Sequence, residues 1–210
     1  MRGCRSPIRL ILCLLALLMG GLPANAAETL VLLEESFESP VVDGSERLDP
    51  PGWVRQHGTG STLYTGLWNE SNDAFTTPFG SQVLSIWSGN TVTTTNITDR
   101  LQAGVTYTLT FHAGNSRAEH KSAGINTYKA DILAGTNVIA SVSATTDTND
   151  MSEQGTVSIE TDGDHPNLGE ILGVRFQHYS GGWEWRTLID NVKLVAVETD
   201  EFHHALFIGK

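Results

Sequence analysis

The segment Thr106-Tyr107-Thr108-Leu109-Thr110-Phe111 alternates large apolar side chains with threonines and does not slip. Successive side chains of a strand point to opposite faces, so this pattern buries Tyr107, Leu109 and Phe111 on one side of a sheet. Val83 to Trp87, Val138 to Val142, Thr156 to Ile159, Leu172 to Phe176 and Leu188 to Val197 read in the same way. Turn signals separate them: Asp49-Pro50-Pro51-Gly52, Ser88-Gly89-Asn90, Gln102-Ala103-Gly104, Ala134-Gly135-Thr136-Asn137, Asp162-Gly163-Asp164 and Ser180-Gly181-Gly182. No amphipathic helical window stands out beyond the N-terminal segment. Many short strands with regular turns predict an all-β chain, an antiparallel β-sandwich or a barrel.

The N-terminus has a different character. Arg2, Arg5 and Arg9 precede an apolar run from Leu10 to Met19, and Ala24-Asn25-Ala26 supplies a small-x-small cleavage site. The run is shorter than the roughly 20 residues that span a bilayer, and its flanks are those of a secretory signal peptide. We therefore divide the chain into a signal peptide (1–26), a β-sandwich domain (27–197) and a C-terminal tail (198–210). The expected location is secreted, periplasmic or at the cell surface, with no transmembrane segment in the mature chain.

Export also settles the thiols and the charge. Cys4 and Cys13 are the only cysteines and both fall in the removed segment, which excludes a disulfide, a thiolate nucleophile or a Cys-ligated metal from the mature protein. About 180 residues remain, enough for one domain to bury about 70% of its unfolded surface without covalent staples. The mature chain keeps ten basic residues against 24 acidic ones, a net charge of −14. Such a surface repels nucleic acid, which is excluded as a partner, and suits divalent cations or neutral ligands.

The order of motifs carries a resemblance. Leu32-Leu33-Glu34-Glu35-Ser36-Phe37-Glu38-Ser39-Pro40 is followed by Pro51-Gly52-Trp53 and by Pro78-Phe79-Gly80-Ser81-Gln82-Val83-Leu84-Ser85-Ile86. Leu101-Gln102-Ala103-Gly104 then runs into the strand Val105 to Phe111, and Leu188-Ile189-Asp190-Asn191-Val192-Lys193-Leu194 closes the series. This series resembles the galactose-binding-like jelly-roll modules of bacterial secreted proteins, among them carbohydrate-binding modules and PEP-CTERM-type surface-protein domains. The chain departs from their pattern at Glu34-Glu35, where an Asn-Gly is usual. The resemblance implies a jelly roll whose first and last strands meet, with a structural calcium ion there held by Glu38 and Asp190. Calcium takes six to eight oxygen ligands, and carboxylates supply them. The competing reading is that both carboxylates only cap strand ends or hydrogen-bond backbone amides.

Carbohydrate recognition uses exposed aromatic rings as stacking platforms. Trp53 and Trp87 occupy core positions of the resembling modules. Trp68 sits among Asn69, Glu70, Asn72 and Asp73, while Trp183 and Trp185 lie two apart in Gly182-Trp183-Glu184-Trp185-Arg186. Trp68, Trp183 and Trp185 are thus the candidate ligand-binding residues, weighed against ordinary packing in loops. No catalytic set emerges. The seven histidines form no His-x-x-x-His pair, and there is no Gly-x-Ser-x-Gly elbow. Gln177-His178-Tyr179 resembles the proton-transferring pair of jelly-roll polysaccharide lyases, whose other motifs are missing. The expectation is a secreted, non-catalytic module that recognises a glycan or polysaccharide. Two alternatives remain: a structural or matrix protein mediating protein–protein contact, and a small polysaccharide lyase or hydrolase.

Overall fold

The computed structural model describes residues 28–43, 48–58, 65–69, 75–87, 89–116, 126–147, 149–180 and 186–199. These residues form eleven strands: β1 (Thr29–Glu35), β2 (Trp53–Gln56), β3 (Gly66–Asn69), β4 (Gln82–Trp87), β5 (Thr91–Thr94), β6 (Val105–Asn115), β7 (Asn126–Ala134), β8 (Asn137–Thr146), β9 (Glu153–Thr161), β10 (Leu172–Ser180) and β11 (Arg186–Glu198). No described residue is helical. One sheet runs β3-β4-β11-β6-β9, with β1 also paired to β11, and the other runs β2-β5-β10-β7-β8. All pairings between strands are antiparallel. The fold is the expected all-β sandwich of jelly-roll type.

The alternation read at Thr106–Phe111 extends the length of β6. Val105, Tyr107, Leu109, Phe111 and Ala113 are all buried in the main core, which both sheets enclose. Facing them are Tyr128, Ala130 and Ile132 of β7, and Val174 and Phe176 of β10. The Phe111 ring meets Phe176 edge-on at 5.0 Å and Tyr128 edge-on at 5.7 Å. Trp53 stacks on Phe176 at 6.1 Å and is 3% exposed, as a core residue should be. Trp87 is only half-buried.

A thirteen-residue β11 organises the first sheet. Residues Arg186–Ile189 pair with β4, and residues Val192–Val197 pair with β1, along one edge; β6 lines the other edge throughout. First and last strands therefore do meet. The changeover falls at Asp190-Asn191, where the β11–β6 register shifts and Asn191 adopts φ +48°. Asn tolerates the left-handed region better than other residues with a Cβ, and one such residue lets the strand bulge there.

Because alternate residues face opposite ways, Ile189 joins the main core while Leu188 joins a second cluster with Trp68, Phe75, Val83 and Met151 on the other side of the sheet. Trp68 is 6% exposed, edge-on to Phe75 at 5.2 Å, with the Arg186 guanidinium 4.3 Å from its ring centre. That corrects the expectation for this residue. The polar sequence around Trp68 does not make it an exposed platform, since β3 turns it inward beneath Phe75 and Arg186. Trp183, Trp185 and the signal segment lie outside the described residues, as does the tail beyond Thr199.

Candidate functional site

Two places gather perturbed polar groups. The first is the β1–β11 junction. Asp190 is fully buried; its Oδ2 accepts from the Thr77 hydroxyl at 2.6 Å and its Oδ1 from the Asn191 N–H at 2.7 Å. Burial, with the charges of Glu38 and Glu35 added, pushes its pKa up to about 6 against the hydrogen bonds from Thr77 and Asn191. No Lys or Arg pairs with Asp190 among the described residues. Glu38 Oε1 accepts from the Ser81 and Gln82 N–H groups, each at 2.9 Å, and Oε2 from the Ser81 hydroxyl at 3.1 Å. Gly80 permits this approach, because a Cβ there would run into the Glu38 carboxylate.

An all-oxygen donor set around uncompensated negative charge has the chemistry a calcium ion requires. The side chains alone do not complete a shell. Among the described residues no three Asp, Glu, His or Cys groups converge as a metal centre, so backbone carbonyls would have to contribute.

The second place lies between the sheets, at the end of the sandwich where β6, β8 and β10 finish and β7, β9 and β11 begin. Here the inward-facing row of each strand closes on a polar side chain. Ala113 is followed by Asn115, Ala144 by Thr146, and Phe176 by His178; Tyr128 is preceded by Asn126, Gly155 by Glu153, and Ile189 by Thr187. Asn115, Asn126, Thr146, His178 and Thr187 are each at most 4% exposed. Three bonds cross from sheet to sheet: His178 Nδ1 to Thr187 Oγ1 at 3.0 Å, and Asn126 Nδ2 to Asn115 Oδ1 at 2.8 Å and to the Arg186 carbonyl at 2.9 Å.

Three groups in this layer have no hydrogen-bond partner: His178 Nε2, Asn126 Oδ1 and Thr146 Oγ1. Each unsatisfied buried group costs about 1–3 kcal/mol, and most buried polar groups in folded proteins avoid that cost. Concentrating three at one end of the core is what a site for a polar guest needs. Burial lowers the His178 pKa to about 4, so the imidazole is neutral near pH 7. Burial, followed by the nearby Glu153 charge, raises the Tyr128 phenol. Burial also raises Glu153, helped by Asp147 and Asp150 and opposed by the Thr146 hydroxyl. The layer thus offers a reluctant carboxylate, a neutral phenol and a neutral imidazole above the rings of Phe111, Tyr128 and Phe176.

A cavity of about 200 Å³ occupies the opposite end, bordered by Leu30, Leu32, Arg100, Gln102, Tyr107 and Glu198. Two of its polar groups are already bonded: the Tyr107 hydroxyl accepts from Gln102 N–H at 2.9 Å, and Arg100 Nη1 donates to Gly169 O at 2.7 Å. The His178 end, with its unpartnered groups, is therefore the candidate site. His178 and Tyr179 do not act there as a pair, since His178 is buried while Tyr179 is 66% exposed on the other face of β10.

A jelly-roll sandwich carrying a buried polar layer is the class that the fold and the site define. Residues 28–195 match the model of the HpiC1-like family, described as HpiC1 cyclase, and the chain belongs to that family. Among solved structures it is similar to the Stig cyclase Fisc from Fischerella sp. TAU in complex with (3Z)-3-(1-methyl-2-pyrrolidinylidene)-3H-indole. The identity is 20% and the TM-score 0.67, over 82% of this chain and 100% of that one. It is also similar to a cyclase from Fischerella sp. TAU in complex with 4-(1H-indol-3-yl)butan-2-one, with 21% identity and a TM-score of 0.66 over 81% and 99% of the two chains. No curated protein sequence matches the chain.

These findings correct three expectations. The family is not that of carbohydrate-binding or PEP-CTERM-type modules, although the jelly roll they share is correct. Membership of a cyclase family overturns the non-catalytic binding module. The glycan partner falls with it, since the related cyclases are seen with indole compounds. The reason for the error is physical. The motifs behind the resemblance, from Phe37-Glu38 to Asp190-Asn191-Val192, are seam and core features of the sandwich, and they carry no information about the guest.

Proposed function

We propose that the protein is a cyclase that closes a ring on a small, neutral, indole-bearing substrate by proton transfer in the layer around His178. The observation that carries this reading is the set of unpartnered buried groups above an aromatic floor, in a chain of a cyclase family. Glu153, whose carboxyl holds its proton above the usual range, gives that proton to an unsaturated carbon of the substrate's side chain. The resulting carbocation is stabilised by the faces of Phe111, Tyr128 and Phe176. A ring carbon of the heterocycle attacks it, forming one C–C bond. His178, whose Nδ1 is hydrogen-bonded to Thr187 Oγ1, takes the proton lost on rearomatisation at Nε2 and returns it to Glu153. The product is an isomer of the substrate, so no oxidant or second reactant is consumed.

The test is incubation of the mature chain with indoles bearing an alkene side chain. A product of unchanged mass and new NMR connectivity is expected, reduced at least 100-fold by Glu153→Gln or His178→Gln. Turnover unchanged in both variants would remove the reading.

Two further readings accompany it. Residues 1–26 direct export, so the enzyme works outside the cytoplasm. Calcium bound by Glu38 and Asp190 ties β1 to β11 and takes no part in the reaction; the uncompensated charge at Asp190 favours this.

A further inference from the structure

We propose that the cavity at the Tyr107 end is a second binding site, for a small organic cation: an ammonium head on an apolar body of about six to nine carbon atoms. The inference is independent of the cyclase reading, because it uses no residue of the His178 layer.

Register explains why there is space here. On the inward face of the first sheet, Leu33 of β1, Leu194 of β11 and Leu109 of β6 stand side by side in the core. Two residues further along β11 the row is Leu30, Ala196 and Tyr107. A methyl group at the centre of that row leaves a gap between two large side chains. β1 also bulges between Val31 and Leu33, and Leu32, the extra residue, borders the same gap. Leu30 is 54% exposed although it lies on the inward row, so the cavity opens to solvent beside it. Covering that leucine with a guest's hydrocarbon is favourable.

The roof is fixed. Leu172 N–H donates to Asp99 O at 2.8 Å, Leu101 N–H to Glu170 O at 2.9 Å, and Arg100 Nη1 to Gly169 O at 2.7 Å. The Tyr107 hydroxyl, bonded to the Gln102 N–H, ties the same segment back to β6. The walls therefore stand before a guest arrives, which cuts the ordering cost of binding. The volume of about 200 Å³ exceeds the roughly 150 Å³ of a cavity that takes a benzene ring.

Charge selects the guest. Three carboxylates, Glu28, Asp99 and Glu198, border the cavity against one guanidinium, that of Arg100. Glu28 and Asp99 form no ion pair with any described residue. Burial raises the Tyr107 phenol most, against the Gln102 bond, and the Asp99 charge adds to the rise, so the negative field reaches the apolar floor. Like charges on a low-dielectric wall focus their field into the cleft. An anion is repelled there, and a neutral guest leaves the field unanswered. A cation whose body fills the gap beside Ala196 matches both the charge and the shape.

Calorimetry on the full mature protein compares 2-phenylethylammonium, 2-phenylethanol, 3-phenylpropanoate and methylammonium. The aryl cation should bind about tenfold more tightly than the alcohol, with the anion weaker still and methylammonium not bound measurably. Asp99→Asn should cut the preference for the cation over the alcohol to about threefold, and Ala196→Phe should abolish binding of both. Equal affinity for cation and alcohol, or a preference untouched by Asp99→Asn, overturns the inference. So does methylammonium binding as well as the aryl cation, which would mean attraction of a counter-ion without a guest in the cavity. Binding that survives Ala196→Phe, or no binding by any of the four compounds, overturns it as well. If Ala196→Phe does not fold, Asp99→Asn, a change in a half-buried loop side chain, decides.

Discussion

Replacing His178 with Gln removes a group whose protonation the fold resists, and the structure sets the size of the effect. In the unfolded chain the imidazole titrates near 6.5, whereas burial between the sheets lowers it to about 4 in the native state. Between those values the unfolded chain binds the proton and the native protein does not. The stabilisation is therefore complete above about 6.5, declines as the pH falls and is fully lost at about 4. The gap corresponds to about 3 kcal/mol. A pH profile of the wild-type protein alone would hide this, because Asp190 works the other way. Its carboxyl titrates near 3.8 when unfolded and about 6 when native, so its contribution is present below 3.8 and lost as the pH rises to 6. That is again about 3 kcal/mol, of opposite sign in nearly the same window. The informative quantity is the difference between wild type and His178→Gln in urea unfolding free energy, measured with chelator from pH 3.5 to 7.5. It should shift by about 3 kcal/mol against the wild type as the pH falls from 7 to 4. A difference that stays flat across this range would show that His178 is solvated, and the argument for a closed polar layer would fail.

Two further outcomes follow from the packing and the junction. Trp68→Ala should lower stability by about 3–5 kcal/mol in urea unfolding, as loss of a buried aromatic does. An unchanged midpoint would mean that Trp68 is not packed under Phe75 and Arg186. Calcium added to chelator-treated protein at 100 times its dissociation constant should stabilise it by about 2.7 kcal/mol, a rise of roughly 5–10 °C in melting temperature for a domain of this size. Glu38→Gln and Asp190→Asn should each abolish that rise, and a wild-type melting temperature indifferent to calcium would refute the metal reading.

Much of the fold was legible because burial imposes a period on the sequence. Tyr107, Leu109 and Phe111 disclose β6, and the five companion segments fall in β4, β8, β9, β10 and β11. Strands that lack this period were missed. β3 and β5 are four residues long, too short for an alternation to declare itself. In β7 the inward row starts with Asn126 and the outward row carries Lys129 and Asp131, so its first half reads as an extension of the polar stretch from Arg117. Asp131 is nevertheless fully buried, held by Arg175 through Nε at 2.8 Å and Nη2 at 2.6 Å. A charged residue on a strand is predicted to be exposed unless its partner is known, and Arg175 lies 44 residues away.

The site was harder to read than the fold for a related reason. Searching for catalysis by motif looks for groups close in sequence, whereas Asn115, Asn126, Glu153, His178 and Thr187 come from five strands and are assembled only by register. One signal is nevertheless present in the sequence. Extending the inward frame of β6 two residues beyond Ala113 lands on Asn115, and extending that of β10 two beyond Phe176 lands on His178. A polar residue that continues an apolar frame at a strand end is either solvated at the rim or committed to a partner inside. His178 and Asn126 are neither fully solvated nor fully partnered: each spends one end of its side chain on the opposite sheet and leaves the other end unbonded. Packing alone would be served as well by a smaller residue bonded at one end. A rigid group held by one end and unsatisfied at the other stores a demand for a guest, and that demand lets a sandwich scaffold hold a reacting molecule in a fixed pose.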